Sequence, residues 1–157
     1  MEPLELDLPT LVQLAGSNTS RMLLEGLAKA GYPGIRPSHG HVFQRLVEGE
    51  PTITALAASL GITQQGASKQ VRELERLGYV ERVPMAADQR ARSVRLTPAG
   101  QAAISHSRKV RAAVEADLAG QLGADTVHAA KVVLAALLQR AGLDDRARTR
   151  TVPAPVM

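Results

Sequence analysis

Apolar residues recur every three or four positions over most of the chain, which is the spacing of amphipathic helices. The first such segment has them at positions 8, 11, 12, 15, 22, 23, 27 and 30, and the sequence GYPG then interrupts the pattern. Similar spacing later in the chain, bounded by proline, glycine or threonine, predicts five more helices. The predicted helices span residues 8–30, 38–47, 53–60, 64–77, 98–121 and 125–141.

The third and fourth predicted helices are close together in the chain. The third begins after an N-cap threonine, Thr52 or Thr54, and ends at Gly61. Thr63 is a suitable N-cap for the fourth, so only residues 61–63 separate the two helices. Two short helices joined by a tight turn that contains glycine predict a helix-turn-helix.

After Gly78 the pattern changes from helical to extended. The segment YVERV is rich in residues that favour strands, VPMAADQ is a loop containing proline, and ARSVRL places Val94 and Leu96 on one side. These segments predict a two-stranded hairpin. Thr97 and Pro98 then restart a helix through N-cap and first-turn preferences.

Composition limits what this helical chain can be. Its 157 residues include no cysteine and only three aromatic side chains, which excludes disulfides, thiolate zinc sites and thiol-based redox sensing. No apolar run approaches the roughly 18 residues of a membrane span. The acidic start MEPLELDLP does not resemble a secretory signal. We therefore expect a cytoplasmic protein without membrane association.

The positive charge is concentrated in the middle of the chain. Residues 1–68 carry 4 basic and 6 acidic side chains, residues 69–111 carry 10 and 4, and residues 112–157 carry 5 of each. A basic segment in an otherwise nearly neutral chain is typical of a protein that binds a polyanion. The alternative is a solvated basic face with no partner.

The fourth predicted helix has a polar outer face. Opposite its apolar residues lie Gln65, Ser68, Lys69, Arg72 and Arg76. Glutamine can pair with adenine edges in the DNA major groove, and lysine or arginine can pair with guanine. The acidic residues Glu73 and Glu75 fall in the C-terminal half of the helix. The pattern is typical of a recognition helix, and the alternative is an ordinary solvent-facing helix.

The hairpin adds further cationic side chains, Arg82, Arg90, Arg92 and Arg95. A hairpin directly after a helix-turn-helix is the winged-helix arrangement, and arginines on a wing suit phosphates or a narrow minor groove. We expect Asp88 to pair with an arginine and hold the wing loop in shape. For Arg95 two roles stay open, a phosphate contact and plain solvation.

Three segments resemble the MarR family of bacterial transcriptional regulators. They are the helix pair from ITALAASLGIT to QVRELERLGYVER, the element Asp88-x-Arg90 followed after five residues by Leu-Thr, and the restart LTPAG. The resemblance implies a mainly α fold with a small β-hairpin wing, in which a winged helix-turn-helix domain is flanked by N- and C-terminal dimerisation helices. It also implies a homodimer that presents two recognition helices to a pseudo-palindromic operator. Since the flanking helices carry much apolar surface, we expect monomers to be unstable.

The resemblance also assigns residues to DNA and to an effector. The family's phosphate and base contacts map onto Gln64, Gln65, Ser68, Lys69, Arg72, Arg90 and Arg92. Members often bind a small anionic or aromatic effector between the dimer base and the DNA-binding lobe. That region would receive Asn18, Met22, Tyr32, His39, His41 and Arg45. A histidine there could bind a carboxylate, and the alternative is that His39 and His41 simply begin a helix at the surface.

We therefore predict a sequence-specific regulator, most simply a repressor, that binds double-stranded DNA as a homodimer and is released by a small effector. Its predicted parts are an N-terminal dimerisation helix, a DNA-binding lobe, C-terminal dimerisation helices and a disordered tail. These parts span residues 1–36, 37–97, 98–142 and 143–157.

The alternative is a metal-responsive or effector-independent winged-helix protein. Two residues apart on a helix, His39 and His41 would face about 200° apart and could share a metal only in an extended conformation. The chain has no Ser-His-Asp spacing, glycine-rich phosphate loop or carboxylate pair that stands out. We expect no enzymatic activity, no cofactor and no metal site.

Overall fold

The computed structural model describes residues 2–85 and 91–140, which form helices and one two-stranded antiparallel sheet. After a 3-10 turn at Pro3–Glu5, the elements are α1 (Leu8–Lys29), α2 (Pro37–Glu48), α3 (Ile53–Leu60), α4 (Gln64–Arg76), β1 (Val80–Pro84), β2 (Arg92–Leu96), α5 (Pro98–Leu122) and α6 (Ala124–Arg140). None of the described helices is long and apolar enough to cross a membrane. The predicted mainly α fold with a hairpin is confirmed, and helix ends differ from the predicted ones by at most one residue.

Residues 37–97, which we call the lobe, enclose an apolar core. Its fully buried side chains Val42, Leu56, Leu74 and Val94 come from α2, α3, α4 and β2. Burying each such side chain contributes roughly 1.5–3 kcal/mol. The rings of Phe43 and Tyr79 meet edge to face, with centroids 6.2 Å apart. This core is therefore closed within one chain, with Leu27 of α1 and Ala103 of α5 also contributing to it.

Threonine N-caps begin α3, α4 and α5. The Oγ1 atoms of Thr52, Thr63 and Thr97 accept hydrogen bonds from the backbone N–H three residues later, at 3.2, 3.0 and 3.1 Å. Of the two candidate caps for α3, Thr52 is therefore the cap. Directly after α3, Gly61 adopts the left-handed conformation with φ 66°. The tight turn of the predicted helix-turn-helix is present as expected.

Strand β2 has a second neighbour besides β1, and the sequence did not indicate it. The Val94 N–H donates to the Pro51 carbonyl at 2.9 Å, and Thr52 forms an isolated bridge with Ser93. Ser93 is buried by this neighbour, so β2 departs from the simple alternation expected of it. The root of the wing is thus tied to the connection between α2 and α3.

Close backbone packing joins the lobe to α5. The Thr97 hydroxyl donates to the Gly78 carbonyl at 2.6 Å, and the Thr97 N–H donates to the Tyr79 carbonyl at 3.0 Å. A Cβ atom at Gly100 would lie 2.1 Å from the Tyr79 carbonyl oxygen. Only glycine fits at this point, because the obstacle is backbone and cannot rotate away.

Helices α1, α5 and α6, which we call the base, bury little of their apolar surface. Helix α6 has no buried residue, and α1 buries Leu23 and Leu27. Side chains with 41–58% exposure are Leu8, Leu14, Met22, Leu118, Leu122, Val132, Val133, Leu134 and Leu138. The base therefore presents an apolar surface that the described residues of this chain do not cover.

Candidate nucleic-acid interface and the adjoining cavity

The outer face of α4 is polar and positively charged. Of the five residues predicted on it to contact DNA, four are exposed and Ser68 is half-buried, whereas the three apolar residues of the inner face have no exposed surface. The exposed ones are Gln64, Gln65, Lys69 and Arg72. The glutamines lie in the first turn, where backbone N–H groups and the helix dipole favour an anion such as phosphate. The five residues predicted on this helix therefore share one accessible surface.

The two carboxylates of α4 form ion pairs with arginines outside the helix. Glu73 forms an ion pair with Arg36, which directly precedes α2. Glu75 Oε2 lies 3.3 Å from the Nε atom of Arg82 on β1. Both negative charges of the helix are thereby compensated by arginines of the same chain. Arg82 is engaged in the same way and does not project from the wing.

His39 is buried in the lobe, with a relative exposure of 1%. The expectation that it begins a helix at the surface is wrong. Its Nδ1 atom accepts from the Arg36 backbone N–H at 3.2 Å, and its Nε2 atom lies 3.2 Å from Glu73 Oε2. Burial, followed by the nearby Arg36 charge, lowers the pKa of His39 to about 4. The ring is therefore neutral at pH 7, with its Nε2–H donating to Glu73.

The wing arginines differ in what they contact. Arg92 is exposed at the outer end of the described part of the hairpin. Arg95 Nε donates to Glu81 Oε1 at 2.8 Å across the two strands, and this bond raises the pKa of Arg95. Arg95 thus makes an ion pair within the hairpin, which the sequence did not indicate, while its side chain remains 47% exposed. Asp88 and Arg90, both predicted at the wing, lie outside the described residues.

An open cavity of about 770 Å³ lies between α1, α2 and the first half of α5. Its walls are mainly apolar, with four cationic or titratable basic groups in the lining. These groups are Arg36, His41, Arg108 and Arg111. The one carboxylate of the lining, Glu48, receives a hydrogen bond from Arg45 at 3.1 Å. Apolar walls with convergent basic groups suit an organic anion.

A profile of the MarR family matches residues 34–91, which contain the helix-turn-helix and most of the wing. Over these residues the winged-helix lobe is similar to the MarR family. The resemblance seen in the sequence is thereby confirmed, and it extends to the arrangement of the surrounding helices.

Solved structures share this MarR-family fold. The reduced form of MarR from E. coli is 24% identical with a TM-score of 0.65, and the match covers 85% of this chain and 97% of that one. A mutant of S. aureus MepR is 20% identical with a TM-score of 0.67, covering 87% and 99%. A second MepR mutant, bound to an oligodeoxyribonucleotide, is 21% identical with a TM-score of 0.62, covering 87% and 99%. No curated protein matches the chain.

Of the six residues predicted for an effector, one lines this cavity. His41 lines the cavity, and burial followed by the Arg45 charge lowers its pKa. Asn18 and Met22 are exposed on α1 and do not line it. The Tyr32 ring packs against another histidine, His106, with centroids 5.9 Å apart. Arg45 and the buried His39 are likewise absent from the lining.

The basic groups on α5 were missed by the sequence reasoning. Arg108 and Arg111 are three residues apart, so they lie on neighbouring turns of one helix face. That spacing was visible in the sequence. What the sequence did not reveal is that this face of α5 meets α1 and α2 around a cavity.

The histidines do not form a shared metal site. Both ring nitrogens of His39 are occupied, by Arg36 and Glu73, whereas His41 faces the cavity. Within residues 2–85 and 91–140, no group of three or more His, Asp or Glu side chains could hold a metal ion. The metal-responsive alternative therefore gains no support from this geometry.

Proposed function

We propose that this protein is a sequence-specific DNA-binding transcriptional regulator that acts as a repressor by occupying its operator. The observation that carries the proposal is the outer face of α4, which presents amide, hydroxyl and cationic groups while both carboxylates of the helix are paired with Arg36 and Arg82. Gln65 and Arg72 suit base edges in the major groove, and Lys69 suits a phosphate. The fold shared with a MepR mutant bound to an oligodeoxyribonucleotide supports DNA as the partner.

The wing supplies a second DNA contact in this proposal. Arg92 is exposed and free of the cross-strand pairing that engages Arg95. Its guanidinium would contact phosphates or enter the minor groove beside the recognition site, together with Arg90. Asp88 would hold the loop between the strands in shape. The glutamines and Ser68 on α4 would fix the position of the lobe on the duplex.

A second copy of the chain is the partner that the base fits. Leu134 and Leu138 on α6 are 43% and 41% exposed, and no described residue of α6 is buried. An apolar surface of this kind is typical of an obligate dimer interface. The base, with residues 1–36 and 98–142, would therefore form a homodimer, and the two lobes would read the halves of a pseudo-palindromic operator.

A small organic anion in the cavity would release the protein from its operator. The apolar walls suit an aromatic or aliphatic body, while Arg108, Arg111 and His41 suit its negative charge. This mode of action needs neither a catalytic group nor a cofactor. A partner of genomic DNA also places the working protein in the cytoplasm.

Selection of genomic fragments tests the proposal directly. The purified chain is mixed with fragmented genomic DNA, bound fragments are sequenced, and the enriched duplex is competed against random duplex. We expect a preference of at least about 10³ for a site with inverted half-sites about one helical turn apart. Equal affinity for random duplex would instead indicate a protein that coats DNA without specificity.

A pair of variants tests the proposed face of α4. Lys69→Ala should weaken operator binding and reduce the dependence of log K on log salt by about 1, because one phosphate contact is lost. Lys109→Ala removes an equally exposed lysine from α5 and should leave both quantities unchanged. Unchanged binding in the Lys69 variant would remove that residue from the interface.

A further inference from the structure

Arg36 lies at the cavity and also contacts the recognition helix. It is one of the residues that line the cavity between α1, α2 and α5. Its guanidinium also forms the ion pair with Glu73 on the recognition helix, where the two side chains are 53% and 22% exposed. Arg36 therefore borders the cavity and pairs with a carboxylate on α4.

His39 fixes the geometry of this contact. It accepts from the Arg36 backbone N–H and places its own Nε2 atom 3.2 Å from the Glu73 carboxylate. The imidazole is buried and rigidly placed in the first turn of α2. The three residues thus form a cluster that connects the start of α2 to the C-terminal half of α4, and we call it the Arg36 cluster.

We propose that the Arg36 cluster couples the cavity to the recognition helix, because an anion bound in the cavity competes with Glu73 for the Arg36 guanidinium. This inference rests on the proposed function for its effect on DNA. It concerns the regulation of DNA binding by α4 and names the three residues, Arg36, His39 and Glu73, through which that regulation would act. Its first step, competition for Arg36, occurs in the free protein.

Competition for one cation has a definite thermodynamic consequence. When Arg36 turns to an anion, Glu73 keeps only the neutral His39 as a partner, and the contact that holds α4 against α2 weakens. By linkage, if a bound anion weakens the packing of α4 against α2, then weaker packing of α4 must strengthen anion binding by the same factor. Removing the negative charge of Glu73 should therefore strengthen anion binding.

Arg108, another basic group of the lining, does not have this double role in the described part of the chain. Arg108 lies on α5, in the base, and makes no hydrogen bond or ion pair with α4 in the described part of the chain. An anion held by Arg108 would gain affinity from it without drawing on Glu73. Arg108 is thus the matched control, a cavity arginine outside the cluster.

The experiment measures binding of a fluorescent arylcarboxylate, 2-naphthoate, to the full chain without DNA. Glu73→Gln should raise the affinity about tenfold, a coupling within the usual range for linked sites. Arg36→Gln should lower it about tenfold, and adding Glu73→Gln to Arg36→Gln should give no further gain. Glu75→Gln removes the neighbouring carboxylate, which pairs with Arg82 away from the cavity, and should change nothing.

The second arm measures operator binding with and without saturating 2-naphthoate. The probe should weaken operator binding by the wild-type chain and by Arg108→Gln at saturation, but not by Glu73→Gln. Circular dichroism of each variant checks that it is folded, and Glu73→Gln alone suffices should Arg36→Gln fail to fold.

Three results would overturn the inference. They are no saturable binding of 2-naphthoate to the wild-type chain, equal probe affinity in wild type and Glu73→Gln, or a gain in the Glu75→Gln control as large as in Glu73→Gln. None of them needs DNA, so the coupling can fail while the proposed function stands. Conversely, a chain without a specific operator would refute the proposed function and leave the competition for Arg36 measurable.

Discussion

The lobe and the base of this protein bury the same kinds of side chain to very different extents. In the lobe, Leu56 and Leu74 have no exposed surface, whereas Leu122 and Val132 of the base are 58% and 55% exposed. The lobe reaches this state with short helices and a hairpin packed around one another. The difference shows that the core of the lobe is closed within one chain, while the base leaves apolar side chains exposed, which we propose a second chain covers.

The largest expected loss of stability comes from a substitution at the contact between the lobe and α5. Gly100→Ala would push a Cβ atom against the Tyr79 carbonyl, so we expect a loss of more than about 4 kcal/mol in the free energy of unfolding. The control is Gly120→Ala in the same helix, where nothing lies within 4 Å and alanine should add about 0.5–1 kcal/mol. Urea unfolding followed by circular dichroism measures both. A loss below about 1 kcal/mol at Gly100 would mean that the joint is not rigid.

The next-largest effect compares the buried core of the lobe with the exposed apolar surface of the base. Leu74→Ala empties a closed core and should lower the free energy of unfolding by about 2–5 kcal/mol without preventing self-association. Leu134→Ala removes a side chain that is 43% exposed in the single chain, so its cost should appear as weaker dimerisation. Sedimentation equilibrium separates the outcomes. Unchanged association of the Leu134 variant would take that residue out of the interface.

A smaller loss of stability should appear as the pH falls, and it should arise in the lobe alone. The pKa of His39 is about 4 in the folded lobe and about 6.5 when unfolded, so the unfolded chain binds a proton first. Stability is therefore complete above about pH 6.5 and is lost towards pH 4, by on the order of 1–3 kcal/mol. Arg36 and Glu73 face the ring, and Glu73 remains in the control variant.

The control for this pH effect is His39→Gln, which cannot titrate. The difference in unfolding free energy between wild type and variant should narrow as the pH falls from 6.5 to 4. A constant difference across this range would show that the folded lobe accepts a proton on His39 as readily as the unfolded chain does.

The smallest effect distinguishes two arginines of the wing. Arg92→Gln should reduce the slope of log K for operator binding against log salt by about 1, as expected for one phosphate contact. Arg95→Gln should leave it unchanged, because Glu81 already holds that guanidinium. Titrations of operator binding at several salt concentrations give both values. The reverse result would place the DNA on the other face of the hairpin.

Much of the lobe could be predicted because its signals are local. Thr63 and Gly61 set the helix-turn-helix through bonds within three residues of the chain, and the apolar face of α4 follows from helical spacing alone. The same spacing placed Gln65 and Lys69 on the outer face. These features depend on neighbours in sequence, which the sequence displays.

Contacts between distant segments could not be predicted in this way. His39 and Glu73 are 34 positions apart, and their contact depends on how α2 packs across α4. The Arg95 to Glu81 bond depends on the register of the hairpin, which the composition of its strands does not fix. For the base, the helical pattern indicated apolar surface, but the cavity beside it required the packing of three separate helices.

The central claim is that two chains join through the base and together present two copies of α4 to one operator. Sedimentation equilibrium of the full chain, alone and with a duplex carrying the selected site, tests it most directly. The account predicts a dimer in the absence of DNA and two chains for each duplex in its presence. A monomer that remains folded at micromolar concentration and binds the duplex as a single chain would contradict it.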